Sequence, residues 1–295
     1  MHSPLTSVAA IHDLSGFGRT SLAVAIPILS CMGIQVYSLP TAVLSSETGA
    51  FDDFVFVDLS HTMAGFLDHW DRIGAKFDAV YSGFLGSPAQ VELVARCMEN
   101  NLLPDGFAVV DPVLGDNGHL DPTMSMDMVE RMRWLVTRAH CITPNLTEAA
   151  LLLGEPYPES GMPVGKLKEW LVRLGEMGPE KVIITSAPLG RNAEKTAVAA
   201  YDAKRGMFWQ VDCQYIPAFY PGTGDTFASV VTGSLLQADS LPVAIDRAVQ
   251  FVTLGIRATF GHDLPTRNGI LLERVLHTLN APMTTSTYTL LNEEE

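Results

Sequence analysis

The sequence predicts a three-layer α/β/α domain built on a mainly parallel sheet. Short apolar, β-branched runs alternate with longer segments of helical period, and Gly, Pro or Asp marks each switch, as in successive βα units. The composition, 47% hydrophobic against 18% charged, is that of a folded globular chain. At 295 residues the chain lies near the length where one core begins to split. With no internal repeat and no Pro/Ser-rich linker, it reads as one domain over residues 1–280 followed by a fraying tail over 281–295.

The elements follow in order. A first strand is predicted at Val8–Ile11, then a helix at Arg19–Met32, a strand at Ile34–Leu39 and a helix at Thr62–Ala75. Next come the strand Ala79–Ser82 with the helix Pro88–Asn100, and the strand Ala108–Asp111 with the helix Ser125–Thr137. The strand Cys141–Thr143 precedes helices at Leu146–Leu153 and Lys166–Met177, and Val182–Ser186 is again a strand. Most of these strands are short and wholly apolar, as strands buried on both faces of a parallel sheet are. Two further strands, Thr196–Tyr201 and Phe208–Asp212, have no helix between them, which predicts an antiparallel hairpin at a sheet edge. Helices at Thr223–Gln237, Pro242–Thr259 and Gly269–Leu279 complete the pattern.

Charge and cysteine usage narrow the function. A formal net charge of −14 without any Lys/Arg cluster argues against nucleic acid or an anionic membrane as partner. For the same reason, any phosphate site must come from backbone amides, a helix N-terminus and a divalent metal. Cys31, Cys97, Cys141 and Cys213 are far apart, with no C-x-x-C pair and no His at zinc-ligand spacing, and read as small buried hydrophobes. Met1–Ser7 has no cationic stretch leading into an apolar core, and apolar runs such as Leu22–Leu29 are too short to span a bilayer, so the reading is a cytoplasmic protein.

Four segments carry chemistry. Gly222-Thr223-Gly224-Asp225 opens a helix whose buried face runs through Ala228, Val230, Val231 and Leu235. Read alone it is a capped helix start; read functionally, its glycines let amides approach an anion while Asp225 takes a proton from a hydroxyl. Asp111-Pro112-Val113-Leu114-Gly115-Asp116 follows a strand, where the carboxyl ends of parallel strands border a ligand crevice. It is either a capped turn or an acidic pair inviting a metal. Thr143-Pro144-Asn145-Leu146-Thr147-Glu148 has the form of a capping box. Thr185-Ser186 ends an apolar strand with hydroxyls that either terminate it or face a phosphate.

Taken in order, these pieces resemble the ribokinase superfamily, and the match to pyridoxal kinases extends from about Val8 to Leu279. The resemblance implies a ribokinase-like fold and an ATP-dependent kinase. It implies Asp225 as catalytic base, Gly222, Thr223 and Gly224 as anion hole, Asn145, Thr185 and Ser186 at ATP, and Asp111, Asp116 and Glu148 around Mg²⁺. A monovalent cation and a homodimer are further implications.

The N-terminal half bears on substrate. His12-Asp13-Leu14-Ser15-Gly16-Phe17-Gly18 lacks the full G-x-G-x-x-G, which disfavours a dinucleotide fold. This segment departs from the Q-S-H of pyridoxal kinases and is similar to the S-D-x-S-G start of hydroxymethylpyrimidine kinases. Ser45-Ser46-Glu47-Thr48-Gly49 is similar to the S-N-H-T of pyridoxal kinases, and Ser82-Gly83-Phe84-Leu85-Gly86-Ser87 to their S-G-Y-L-G-S. Asp13, Ser15, Thr48 and Phe84 are therefore the expected substrate contacts, Phe84 as a ring wall. The expected reaction is phosphorylation of the 5′-hydroxymethyl group of pyridoxal, pyridoxine or pyridoxamine. Hydroxymethylpyrimidine kinase is the alternative, and a non-catalytic B6-binding protein the alternative of another class.

Overall fold

The structure is a computed structural model and describes residues 5–49, 51, 53–159, 161–188, 196–213, 216–283 and 285–291. The chain runs β1 (Ser7–Ser15), α1 (Leu22–Cys31), β2 (Gln35–Leu44), β3 (Phe56–Asp58), α2 (Ser60–Ile73), β4 (Phe77–Ser82), α3 (Pro88–Asn101) and β5 (Leu102–Val110). A small hairpin, β6 (Gly115–Asp116) and β7 (His119–Leu120), leads to α4 (Met126–Val136), β8 (Cys141–Ile142), α5 (Leu146–Leu153) and α6 (Val164–Glu176). Then come β9 (Lys181–Pro188), β10 (Thr196–Asp202), β11 (Met207–Cys213), α7 (Thr223–Leu236), α8 (Leu241–Thr259), α9 (Leu272–Val275) and β12 (Thr289–Leu290).

Among the described residues the main sheet has the order β12-β11-β10-β9-β8-β5-β4-β1-β2-β3. From β9 through β2 every neighbouring pair is parallel. The strands alternate their side chains between two apolar layers. Ala9 and Ile11 of β1 face the layer under α2 to α6, while Val8 faces the layer formed with α1, α7 and α8. Helix α6 shows how these layers form: Leu167, Trp170, Leu171 and Leu174 recur at helical spacing and are all buried. This is the predicted three-layer α/β/α architecture.

All eight expected strands are present, most of them longer than their apolar cores. The expected hairpin is the antiparallel pair β10 and β11, and β12 continues the sheet beyond it. On the other edge, β3 adds antiparallel to β2. Its three residues are all exposed, so no burial alternation announced it. The helix expected over 269–279 breaks into a 3-10 turn at Thr266–Asn268, the short α9 and a second 3-10 turn at Leu276–Asn280. Gly269 there holds φ 74°, and the Leu271 amide donates to Thr259 Oγ1 at 2.7 Å rather than continuing a helical ladder.

The C-terminal stretch expected to fray is partly docked. β12 pairs with β11, the Leu291 amide donates to the Phe208 carbonyl at 3.1 Å, and the Leu291 side chain is buried. Its anchor is Asp246 of α8, fully buried, which accepts from the Thr287 amide at 2.9 Å, Thr287 Oγ1 at 2.7 Å and Gln250 Nε2 at 3.0 Å. No described helix is long and apolar enough to cross a membrane.

Removing that anchor leaves the Thr287 amide and hydroxyl without this acceptor and Gln250 with only the Thr285 carbonyl, a loss of roughly 1–3 kcal/mol. Asp246→Ala is expected to lower the urea midpoint and to open the strap to chymotrypsin after Tyr288 under native conditions. An unchanged midpoint and cleavage rate would contradict the anchoring role.

Candidate active site

The first turn of α7 is shaped by one close contact. Gly222 adopts φ 79°, and a Cβ on it would lie 1.8 Å from the carbonyl oxygen of Arg19, so no side chain fits. This approach brings the start of α7 against residues 19–21, the loop that enters α1. Arg19 is fixed there by Asn268 O at 2.9 Å and by Glu273 at 3.1 Å. Ser21 carries the strained φ of 52°, and its amide donates to the Asp225 carboxylate while its hydroxyl donates to Asp13. Thr223 Oγ1 turns back to the Tyr220 carbonyl at 3.1 Å, leaving the amides of the turn as the groups presented outward.

Asp225 thus sits in the first turn of a helix with only part of its surface open to a cavity. Desolvation pushes its carboxyl up from the usual range to about 7, the Ser21 amide pulls it down, and the charges of Asp111 and Asp13 add to the rise. Beneath it Tyr81 of β4 reaches Ser229 Oγ at 3.3 Å and the Asp225 carbonyl at 3.5 Å. The His12 ring packs edge-on against Tyr81 at 4.3 Å, and burial lowers its pKa to about 3, so it is neutral.

Across the cavity, Glu148 ties two segments together. Its Oε1 accepts the Leu114 amide at 3.1 Å and its Oε2 the Asn145 amide at 2.7 Å, while Asn145 Oδ1 caps α5 through the Glu148 amide at 3.0 Å. The capping box expected from the sequence is therefore formed, and Asn145 Nδ2 also holds the Gly115 carbonyl at 2.8 Å. Asp111 accepts from Thr143 Oγ1 at 2.8 Å. Burial raises Asp111 to about 6. Burial first, and then the Asp111 charge, push Glu148 well above the carboxylate range. Thr185 forms a parallel bridge with Asn145, and Ser186 adopts a left-handed φ of 55° where β9 bulges against β10.

These groups line one cavity of about 740 Å³ at the carboxyl ends of the strands. Asp13, Thr48, Phe84, Asp111, Asp116, Asn145, Glu148, Thr185, Ser186, Gly222, Thr223, Gly224 and Asp225 all border it. Ser15, expected at the substrate, does not; its hydroxyl supports Asp13 at 3.1 Å. The three expected metal acids do not close into a cage. Among the described residues no three His, Cys, Asp or Glu side chains group to hold a metal. Asp116 is exposed and bonded to its neighbour Asn117, which leaves Asp111 and Glu148 as the acidic pair.

Ser21, Glu47 and Phe219 also line the cavity without having been singled out. Glu47 lay inside a recognised motif. Ser21 is signalled only by its neighbouring Gly-rich loop, and the exposed Phe219 by its place just before the Gly222 turn. Asp13, Glu47, Asp111, Asp116, Asp121, Glu148 and Asp225 contribute carboxylates to the lining, and among the described residues no Lys or Arg does.

Comparison with known proteins fits this geometry. Residues 28–268 match the phosphomethylpyrimidine kinase family. A structure described as a phosphomethylpyrimidine kinase from Bacteroides thetaiotaomicron, in a crystal form with pyridoxal, is 51% identical. It superimposes with a TM-score of 0.93 and covers 97% of this chain and 99% of that one. Pyridoxal kinase from Lactobacillus plantarum is 33% identical at a TM-score of 0.84, covering 94% and 97%. A pyridoxine/pyridoxal/pyridoxamine kinase of Bordetella avium is 28% identical over 275 residues, 86% of each chain.

The Asp225 environment has a stability signature. Its folded pKa lies above its unfolded one, so the charged form is penalised. That penalty is absent below about pH 4, grows between about pH 4 and 7, and is complete above. Asp225→Asn is therefore expected to stabilise the ligand-free protein at pH 8, on the order of 1–2 kcal/mol after allowing for residual solvent contact. The gain should be smaller at pH 5. Equal melting temperatures for both proteins at both pH values would contradict the burial argument.

Proposed function

The chain belongs to the phosphomethylpyrimidine kinase family, ATP-dependent kinases acting on an alcohol group, and from that premise we propose that its substrate is a B6 vitamer phosphorylated on the 5′-hydroxymethyl oxygen. The observation that carries this reading is the half-buried Asp225, its carboxyl raised to about 7 beside the free amides of Gly222 to Gly224. The choice of vitamer class is supported by the 51% identical relative with pyridoxal and the pyridoxal kinase at 33% identity.

In this reading the γ-phosphoryl group of ATP lies on the α7 N-terminus, where the amides and the helix dipole favour its negative charge. Asp225 accepts the hydroxymethyl proton as the alcohol oxygen forms its bond to phosphorus, and the bond to the departing ADP oxygen breaks. A carboxylate near pH 7 is basic enough for that transfer and still ionised in an adequate fraction. Thr185 and Ser186 face the nucleotide, while Asn145 acts through its cap and its bond to Gly115 by fixing the loop opposite. Asp13, Thr48 and Phe84 line the substrate end.

Mg²⁺ is part of the same proposal. Asp111 and Glu148 are two carboxylates raised by burial, Glu148 also by the Asp111 charge, and a hard divalent ion completed by phosphate oxygens and water needs only one or two such ligands. These two residues would hold it, and bound there it would neutralise phosphate charge that no Lys or Arg of the lining offsets. A homodimer also belongs to this reading, supported by the exposed Val55, Phe56 and Val57 along the β3 edge. We place the catalytic unit in residues 1–280 as one domain, and the protein in the cytoplasm.

Hydroxymethylpyrimidine kinase is the second reading, favoured by the description of the matching family. Both readings use the same base and amides. A pure binding protein has no use for a carboxyl held at this cost beside an anion hole.

Asp225→Asn is expected to lower turnover by on the order of 10²–10⁴ while ATP binding measured by calorimetry stays close to the parent value. Wild-type turnover is to be followed as ADP release with pyridoxal, pyridoxine, pyridoxamine and hydroxymethylpyrimidine in parallel. Activity confined to the pyrimidine would move the assignment to the second reading, and near-normal turnover by the mutant would remove Asp225 as base.

A further inference from the structure

The described lining of the cavity holds seven carboxylates and no Lys or Arg, and among those residues one side chain is able to carry a positive charge near neutral pH, the imidazole of His119. His119 stands in the β6–β7 hairpin opposite Asp116. The turn between them is Asn117-Gly118, with φ 50° and 79°, the two positive values that a type I′ hairpin turn requires.

This hairpin is anchored at several points. The Gly115 carbonyl accepts from Asn145 Nδ2 at 2.8 Å, the Gly118 amide donates to Thr147 Oγ1 at 2.9 Å, and the Asp121 amide donates to the Leu114 carbonyl at 2.9 Å. Tyr157 packs so closely on Gly118 that a Cβ there would come within 2.8 Å of its ring. The side chains divide between two faces. Leu120 packs into the apolar layer under α2 to α6. His119 and Asp116 share the opposite face, are both exposed and both border the cavity, and the Asp116 charge is felt at Glu148. Asp116 is bonded to Asn117, whereas the His119 imidazole has no hydrogen-bond, ion-pair or ring partner among the described residues.

A fixed hairpin therefore presents one open, charge-capable donor to a cavity otherwise lined by acids. Resting on the proposed kinase reading, we propose that His119 is a phosphate-binding residue, its ring N–H donating a charge-assisted bond to an oxygen of the ATP phosphates. The nucleotide is favoured over a phosphorylated product because the hairpin rests on Asn145, which is bridged to Thr185 at the nucleotide side of the cavity.

The test measures dissociation constants by calorimetry for ATP with Mg²⁺, pyridoxine and pyridoxine 5′-phosphate in wild type, His119→Ala and His119→Lys. His119→Ala is expected to weaken ATP about tenfold while both vitamers stay within about twofold, and His119→Lys, which returns a cationic donor, to recover most of the ATP affinity. Equal losses for ATP and pyridoxine, or no recovery with lysine, would reduce His119 to a structural role and overturn the proposal. Unchanged ATP affinity in His119→Ala overturns it as well, and a loss confined to pyridoxine 5′-phosphate would move the contact to the product. The expected ATP pattern without turnover on any B6 form or on hydroxymethylpyrimidine would uphold His119 and overturn the kinase assignment. Turnover with ATP affinity unmoved by either substitution does the reverse.

Discussion

The contact between Gly222 and the Arg19 carbonyl is the constraint on which the rest of the site depends. It joins two segments about two hundred residues apart, the loop entering α1 and the first turn of α7, at a separation that only glycine permits. From that contact the Ser21 amide reaches Asp225 and its hydroxyl reaches Asp13. Arg19, clamped by Glu273 and Asn268, extends the same junction to the C-terminal segment. The Gly222–Gly224 turn, Asp225 and Asp13 are therefore positioned together, where the first turn of α7 meets the segment between β1 and α1.

Charge organises the cavity in a second way. A cavity that receives a polyphosphate would ordinarily be expected to present cations, yet its described lining is acidic. The acids are held in graded states by their surroundings. Asp111 and Glu148 are both buried, and the Asp111 charge adds to the rise of Glu148. Asp225 is held near neutrality by desolvation, offset in part by one amide. Asp116, exposed to water, only modulates Glu148 from outside. The empty cavity thus holds carboxylates whose charged forms are penalised by burial, the usual exchange of stability for function.

Much of this was legible in the sequence because it is written in local patterns. Buried parallel strands show as apolar runs, and every strand predicted from such a run is present. The capping box at Asn145 and Glu148 and the Gly222 turn are spelled out within a few residues, so they were readable with their chemistry. Features that arise from contacts across the chain were not. β3 and β12 are short, exposed pairings with no alternation to see. Ser15 lies in a recognised motif but faces Asp13 instead of the cavity, and Asp116 turns to Asn117, because side-chain direction at a strand end or hairpin is set by neighbours that no spacing rule encodes. Ser21 matters through a left-handed backbone that a serine rarely adopts, so its residue type conceals its role.

The central claim is that the fold itself holds the Asp225 carboxyl near neutrality, poised to take a proton. The most direct measurement is the titration of that carboxyl in the ligand-free protein by ¹³C NMR, with Asp225→Asn identifying its resonance. The account predicts a midpoint of about 7. A midpoint near the ordinary value of about 4 would mean that water reaches the carboxylate freely, and the role of the Gly222 junction in preparing the base would be contradicted.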